Sequence, residues 1–267
     1  MIWAATPGNY VPTQLTLPLA TVFGFVLVLA RVAGAFIFVP LPGISAGPEM
    51  ARAVLAFSFT LALYPRWPHV NLTEPYIGAL VVGLIAELAL GLTIGVAVAV
   101  LNESFLLAGQ IIGLQAGYGY ASMVDPSTQA DSGILVVFAQ LTAGLLFFAM
   151  GLDRQVIRAF ARSLDVFPAG SFTLAPAGAE QILRLASGMF SVGLRLAMPA
   201  IALLLLVDLA LALLGRLNSQ LQLLTLAFPI KMMAAMGLLA TMAVLFPRVY
   251  RGYAEQVLGR VSAIAGF

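Results

Sequence analysis

The sequence predicts an all-α, polytopic membrane protein, and three observations support that prediction. Of the 267 residues, 61% are hydrophobic and only 9% are charged, whereas soluble domains carry about 25% charged residues. The mean hydropathy is +1.03. Apolar runs of the length needed to cross a bilayer, about 20 residues, recur along the chain. A soluble enzyme or binding domain is therefore excluded, and so is a disordered chain, which would combine low hydrophobicity with high charge.

Seven apolar runs, separated by proline, glycine or polar segments, predict six to seven helices. They lie at about residues 15–39, 54–64, 77–101, 105–124, 134–152, 194–214 and 221–246. The second run is short and has prolines on both sides. The fourth is rich in glycine and counts as a span only in the higher total, because glycine lowers helix propensity. Pro229 in the last run removes a backbone hydrogen bond, which predicts a kinked or broken helix.

The last two runs predict a helical hairpin. Each is apolar on all sides, as expected of a buried or lipid-facing helix. A polar turn at residues 215–220 joins them, and so short a connection makes the two arms antiparallel neighbours.

The residue counts exclude several kinds of site. The chain has no cysteine and one histidine, His69, which excludes thiolate and histidine-based metal centres. Ser45 lies in a G-x-S-x-G pattern, but it follows two prolines instead of a strand, so the pattern is a poor match to a nucleophile elbow. We therefore expect no catalytic, cofactor-binding or metal-binding residue. A net charge of +2 is too small to indicate a nucleic-acid-binding protein.

Glycine spacing predicts where helices approach closely. Gly91 and Gly95 are four apart, as are Gly109 and Gly113, and small residues at this spacing let a second backbone pack against the helix.

The glycine pattern continues into a segment that we expect to leave the helix. Its residues are Gly117, Tyr118, Gly119, Tyr120, Ala121, Ser122, Met123, Val124, Asp125 and Pro126. Glycine lowers helix propensity, and the residue before a proline avoids helical dihedrals. Irregular backbone at membrane depth is tolerated only inside protein or beside a watery cavity. The segment is therefore predicted to be an enclosed, glycine-hinged loop, and a pore is one such place.

Charged residues within apolar runs are candidates for function. Arg31, Glu87, Asp208 and Lys231 are the chief ones; such residues are costly in a membrane and are usually paired or face a cavity. Structural pairing between helices and a proton relay both remain open, with pairing favoured. Elsewhere, Asp153 to Glu180 is amphipathic and carries three arginines on one helical face, which indicates a solvated or headgroup-level surface.

Taken together, these residues resemble the FliR/SctT family, whose flagellar members are membrane components of the type III protein-export gate. The matching pieces are Arg31-Val32-Ala33-Gly34-Ala35 with Val39-Pro40; Glu87 with Gly91 and Gly95; Ala108 to Gly117 with Val124-Asp125-Pro126; Gly151 with Phe167-Pro168; and Phe228-Pro229-Ile230-Lys231. Their order across most of the chain is more specific than any single piece.

The resemblance implies a two-part architecture and a role without catalysis. Residues 1–184 would form a FliP-like part and residues 185–267 a FliQ-like hairpin and tail. The chain would be a multi-pass subunit in the bacterial inner membrane, in the flagellar basal body. It would assemble there with FliP, FliQ and FlhB, in contact with membrane lipid, around a channel for unfolded flagellar proteins.

Two sites are carried over from the family. Residues 117–126 match the loop that plugs the closed channel. The hairpin turn, with Arg216, Asn218, Gln220 and Gln222, would lie toward the cytoplasmic entrance. Two alternatives stay open: an injectisome-type secretion homologue, and an ion-coupled secondary transporter that uses Glu87 or Asp208 as a relay. The transporter should contain an inverted repeat, and no such repeat is evident.

Overall fold

The computed structural model describes residues 19–38, 49–67, 77–118, 133–168, 176–217 and 223–264. Within them the secondary structure is entirely helical, which confirms the predicted fold class. The elements are α1 (Leu19–Phe38), α2 (Glu49–Ala62), a 3-10 turn (Tyr64–Arg66), α3 (Ile77–Ala116), α4 (Ile134–Ala149), α5 (Leu152–Val166), α6 (Pro176–Leu217), α7 (Leu223–Met242) and α8 (Phe246–Ile264).

Helix α3 is the centre of the molecule. It packs against α1, α4, α6, α7 and α8, and the main buried cluster follows its length, with members such as Ile94, Leu101 and Ile112. With 40 residues it is about 60 Å long. That is about twice the thickness of a bilayer's hydrocarbon core.

The third and fourth predicted runs form this one helix, although polar residues separate them in the sequence. Ser104 Oγ donates a hydrogen bond to Val100 O at 2.7 Å. Asn102 Oδ1 accepts one from the buried Tyr250 hydroxyl of α8 at 3.0 Å. Because these polar groups have partners, they do not interrupt the helix.

Helix α6 is equally long, with 42 residues. The sixth run was predicted to begin at about residue 194, but the helix begins at Pro176, where proline suits the first turn, and continues through Pro199. Neighbouring helices can accommodate the backbone group that a proline frees within a membrane helix. The predicted boundary between residues 184 and 185 lies inside this continuous helix.

Three helices are long and apolar enough to cross a membrane: Leu19–Phe38, Leu80–Ala116 and Leu183–Leu217. Two bent pairs raise the number of candidate spans to five among the described residues. Helices α4 and α5 meet at 64°, and α7 and α8 at 66°. The second predicted run becomes α2, a helix of 14 residues, which is too short to cross a bilayer.

Candidate functional site

An ion pair lies in the interior where α1 crosses α3. The Arg31 and Glu87 side chains are both fully buried. Arg31 Nε donates to Glu87 Oε2 at 2.5 Å, and Nη2 donates to Oε1 at 3.0 Å. Arg31 also donates to Ser163 Oγ at 3.2 Å and to the Phe167 carbonyl oxygen at 2.8 Å. The pair therefore joins α1, α3 and the end of α5, with the hydrogen bonds that a buried charge requires.

Glycines bring the two backbones together at this crossing. A Cβ on Gly91 would lie 1.9 Å from the Arg31 carbonyl oxygen, and one on Gly95 would lie 2.6 Å from that of Ala35. A Cβ on Gly34 of α1 would likewise lie 2.6 Å from the Leu88 carbonyl oxygen of α3. No larger residue fits at these distances without moving a helix, so the glycines set the separation that lets Arg31 reach Glu87.

The second glycine pair lies further along α3, beside α4. A Cβ on Gly109 would lie 2.8 Å from Ala139 Cβ and 2.9 Å from the Leu135 carbonyl oxygen. One on Gly113 would make only an ordinary contact with Leu135, at 3.9 Å. The two glycines thus differ: the first is required by a close approach, and the second has room for a methyl group.

The beginning of the predicted loop is held against the hairpin. Helix α3 ends at Ala116, and Gly117 has a φ of +86°, a left-handed conformation that favours glycine. A Cβ on Gly117 would lie 2.5 Å from Phe228 Cδ1 of α7. The Tyr118 hydroxyl donates to the Met232 carbonyl oxygen at 3.5 Å. Residues 119–126 lie outside the described residues.

A second ion pair joins the two arms of the hairpin. Lys231 Nζ lies 2.9 Å from Asp208 Oδ1 and donates to Oδ2 at 3.1 Å. The two side chains are 15% and 44% exposed, so this pair is far less enclosed than the first. Arg216 is exposed at the end of α6, while Asn218, Gln220 and Gln222 lie outside the described residues.

Large apolar side chains remain uncovered on the hairpin. On α6 and α7 they include Leu205, Leu206, Leu209, Leu213, Leu214, Leu226, Met233 and Met236. Exposed apolar side chains in such number indicate a membrane or protein contact. Lipid or other protein chains must therefore cover this face, which we call the open leucine face.

Helix α5 has a different surface. Its arginines Arg154, Arg158 and Arg162 are all exposed, as predicted for a solvated or headgroup-level face. On the opposite side, Val156 and Phe160 are buried. Arg66 of the 3-10 turn pairs with Asp165 near the end of α5.

Sequence reasoning named the buried charges but did not assign their partners. Arg31 and Glu87 are 56 positions apart, and spacing along the chain does not indicate a pair at that separation. Ser163 and Phe167 were also not predicted to accept hydrogen bonds from Arg31. Ser45 and His69 lie outside the described residues. Within the part of the chain that is described, no group of three or more His, Asp or Glu side chains could hold a metal ion.

The fold and these contacts define a helical membrane protein with a buried ion pair at a glycine crossing and an uncovered leucine face. The model of the family "Bacterial export proteins, family 1" matches residues 22–257, and the chain belongs to that family.

Its relatives are flagellar biosynthetic proteins FliR, which confirms the resemblance to that family. The protein of Caulobacter vibrioides is 30% identical over 217 residues, covering 80% of this chain and 86% of the relative. That of Escherichia coli K12 is 28% identical over 195 residues, covering 73% and 74%. That of Bacillus subtilis is 25% identical over 232 residues, covering 83% and 87%.

Proposed function

We propose that the chain is a subunit of the flagellar type III protein-export gate in the bacterial inner membrane. It assembles with FliP, FliQ and FlhB around a channel for unfolded flagellar proteins and supplies residues 117–126 as a plug. It holds no catalytic site or cofactor of its own. The flagellar names of the relatives favour this branch over an injectisome homologue.

The lengths of α3 and α6 are the observation that carries the proposal. Helices α3 and α6, of 40 and 42 residues, are each about twice as long as a bilayer core is thick. Lipid tails therefore cannot cover the whole of both helices. Neighbouring protein subunits can cover apolar surface both inside the bilayer and beyond it.

Glu87 and Asp208, on which a transporter relay would depend, are each paired with a cation. These contacts favour structural pairing over the relay. The proposed division into residues 1–184 and 185–267 places the FliP-like and FliQ-like parts on one continuous helix, α6, which would hold them in a fixed relation.

The position of Gly117 supports the plug assignment. Helix α3 leads into the segment and α4 leads out of it, and the two helices pack against each other. Both ends of residues 119–132 are therefore held by one helix pair. The contact between Gly117 and Phe228 further ties the root of the loop to the hairpin.

Crosslinking tests the plug directly, because the chain has no native cysteine. A single cysteine in place of Tyr120 or Met123 should crosslink to an export substrate stalled in the channel. Arg158→Cys is the matched control, since Arg158 is exposed on α5 and far from the loop in sequence. Equal crosslinking at the control, or labelling of the loop cysteines by lipid probes alone, would overturn the plug assignment.

Co-purification tests the assembly. With FliP and FliQ co-expressed, the chain should be recovered in mild detergent as a hetero-oligomer. Recovery only as a monomer would contradict the proposed function.

A further inference from the structure

A cleft of about 380 Å³ lies between α6 and α8, apart from the features described above. Arg195 of α6 and Arg248 and Gln256 of α8 contribute its polar groups. Leu196 and Phe246 are among its apolar walls. The cleft thus combines two guanidinium groups with a hydrocarbon-lined space.

Neither arginine forms an ion pair with another described residue. Among the described residues, no carboxylate oxygen lies within 4 Å of either guanidinium, whereas Arg31, Arg66, Arg184 and Lys231 each have an acidic partner. The acidic side chains on α6 are already engaged: Glu180 pairs with Arg184, and Asp208 pairs with Lys231. The cleft therefore presents two charges that an external anion can neutralise.

The cleft lies at the end of the apolar part of the hairpin, on the side away from the turn between α6 and α7. Between Arg195 and Arg216, α6 carries one charged residue, the paired Asp208, over a length of about 30 Å, the thickness of a bilayer core. Helix α7 returns over 20 residues, again about 30 Å. The chain then bends by 66° into α8, which begins with Phe246, Pro247 and Arg248. Arg195 and Arg248 therefore lie at one end of an apolar segment that is as long as a bilayer core is thick.

Arginine binds phosphate oxygens in a bidentate manner, and basic pockets between membrane helices suit anionic headgroups. A free inorganic anion would not cover the apolar walls of the cleft. A lipid with no net charge would not neutralise the positive charge of the two arginines. The combined chemistry is that of an amphiphile with a net negative headgroup.

We propose that this cleft binds one anionic phospholipid, with its phosphate between Arg195 and Arg248 and the start of its acyl chains against Leu196 and Phe246. The proposal depends on the chain's position in a membrane and not on its role in export.

Native mass spectrometry of the full-length chain in neutral detergent provides the test, with phosphatidylglycerol and phosphatidylcholine supplied in equal amounts. The wild-type chain should retain one phosphatidylglycerol in preference to phosphatidylcholine by about tenfold or more. Arg195→Gln with Arg248→Gln should abolish that preference. Both side chains are exposed, so the variant should keep its helical content.

The matched control is Arg154→Gln with Arg158→Gln, which removes the same charge from the exposed face of α5 and should retain the preference. Loss in both double variants would mean that net charge alone attracts the lipid. Displacement of the bound lipid by millimolar inorganic phosphate would mean that the cleft recognises the phosphate group alone and not a lipid. An unchanged preference for phosphatidylglycerol in the Arg195/Arg248 variant would mean that these arginines do not bind the lipid. Each of these three outcomes would overturn the proposal.

Discussion

The crossing of α1 with α3 and the hairpin of α6 with α7 are built from equally apolar helices, yet they are buried to different extents. The most apolar parts of α3 and α6 have hydropathies of 2.4 and 2.5, but 56% of the first is buried and only 28% of the second. Glycines let α1 and α3 meet backbone to backbone around a fully buried ion pair. The hairpin instead presents exposed leucines and a partly exposed pair. At the crossing, glycines let the surface close within the chain, whereas the larger leucines of the hairpin remain exposed.

The largest effect should come from breaking the buried pair. Glu87→Ala leaves the Arg31 guanidinium buried without its counter-charge and should lower the free energy of unfolding by about 3–5 kcal/mol. Unfolding by denaturing detergent in mixed micelles, followed by circular dichroism, measures the change.

The control replaces both partners with apolar residues, as in Arg31→Met with Glu87→Leu. It should cost far less than Glu87→Ala, because no charge is left unpaired. If the single and double variants are equally unstable, the uncompensated charge is not the cause.

Two adjacent leucines on α6 compare the inner and outer faces of that helix. Leu204 is fully buried and Leu205 is 57% exposed. Leu204→Ala should lower the free energy of unfolding of the isolated chain by about 2 kcal/mol or more. Leu205→Ala should change it by less than about 0.5 kcal/mol. Equal losses in the same unfolding assay would show that the α6 face is already covered within the chain.

Two glycines on α3 test whether the close approach of α1 to α3 requires glycine. Gly91→Ala places a methyl group against the Arg31 carbonyl oxygen and should lower the free energy of unfolding by about 1–3 kcal/mol. Gly113→Ala meets only an ordinary contact and should be neutral or stabilise the helix by up to about 1 kcal/mol. A Gly91→Ala variant as stable as Gly113→Ala would mean that the crossing tolerates a wider separation.

The smallest effect is expected at the hairpin pair. Asp208→Asn removes the contact with Lys231 on the other arm, and interhelical polar contacts of this kind contribute about 1 kcal/mol or less in membrane proteins. The Lys231 side chain can then extend toward the micelle surface, so the loss should also be about 1 kcal/mol or less. A loss as large as that of Glu87→Ala, measured in the same micelles, would remove the contrast between the two pairs.

The sequence predicted the helical membrane class and the end of α3, because both depend on local composition. Long apolar runs require helices in lipid, and Gly117 begins a segment in which glycine lowers helix propensity. The positions of Arg31 and Glu87 within apolar runs also indicated that they should be paired or face a cavity.

Tertiary contacts decided the rest. The sequence predicted a break in α3 near Asn102. The Tyr250 hydroxyl, 148 positions away, donates a hydrogen bond to the Asn102 side chain, and the helix continues through it. The sixth run was predicted to begin at about residue 194, but residues 176–193 are helical as well. The pairing of Arg31 with Glu87 depends on how closely α1 and α3 pack, which periodicity along one helix does not encode.

If the chain assembles as proposed, FliP and FliQ should cover the open leucine face. Photolabelling of membranes with a lipophilic carbene probe, with the labelled residues identified by mass spectrometry, measures this coverage at Leu206, which is 62% exposed in the chain alone. We expect strong labelling of Leu206 when the chain is expressed alone and strong protection when FliP and FliQ are present. Leu204, which is fully buried, should be labelled weakly in both strains. Equal labelling of Leu206 with and without FliP and FliQ would contradict the proposed assembly.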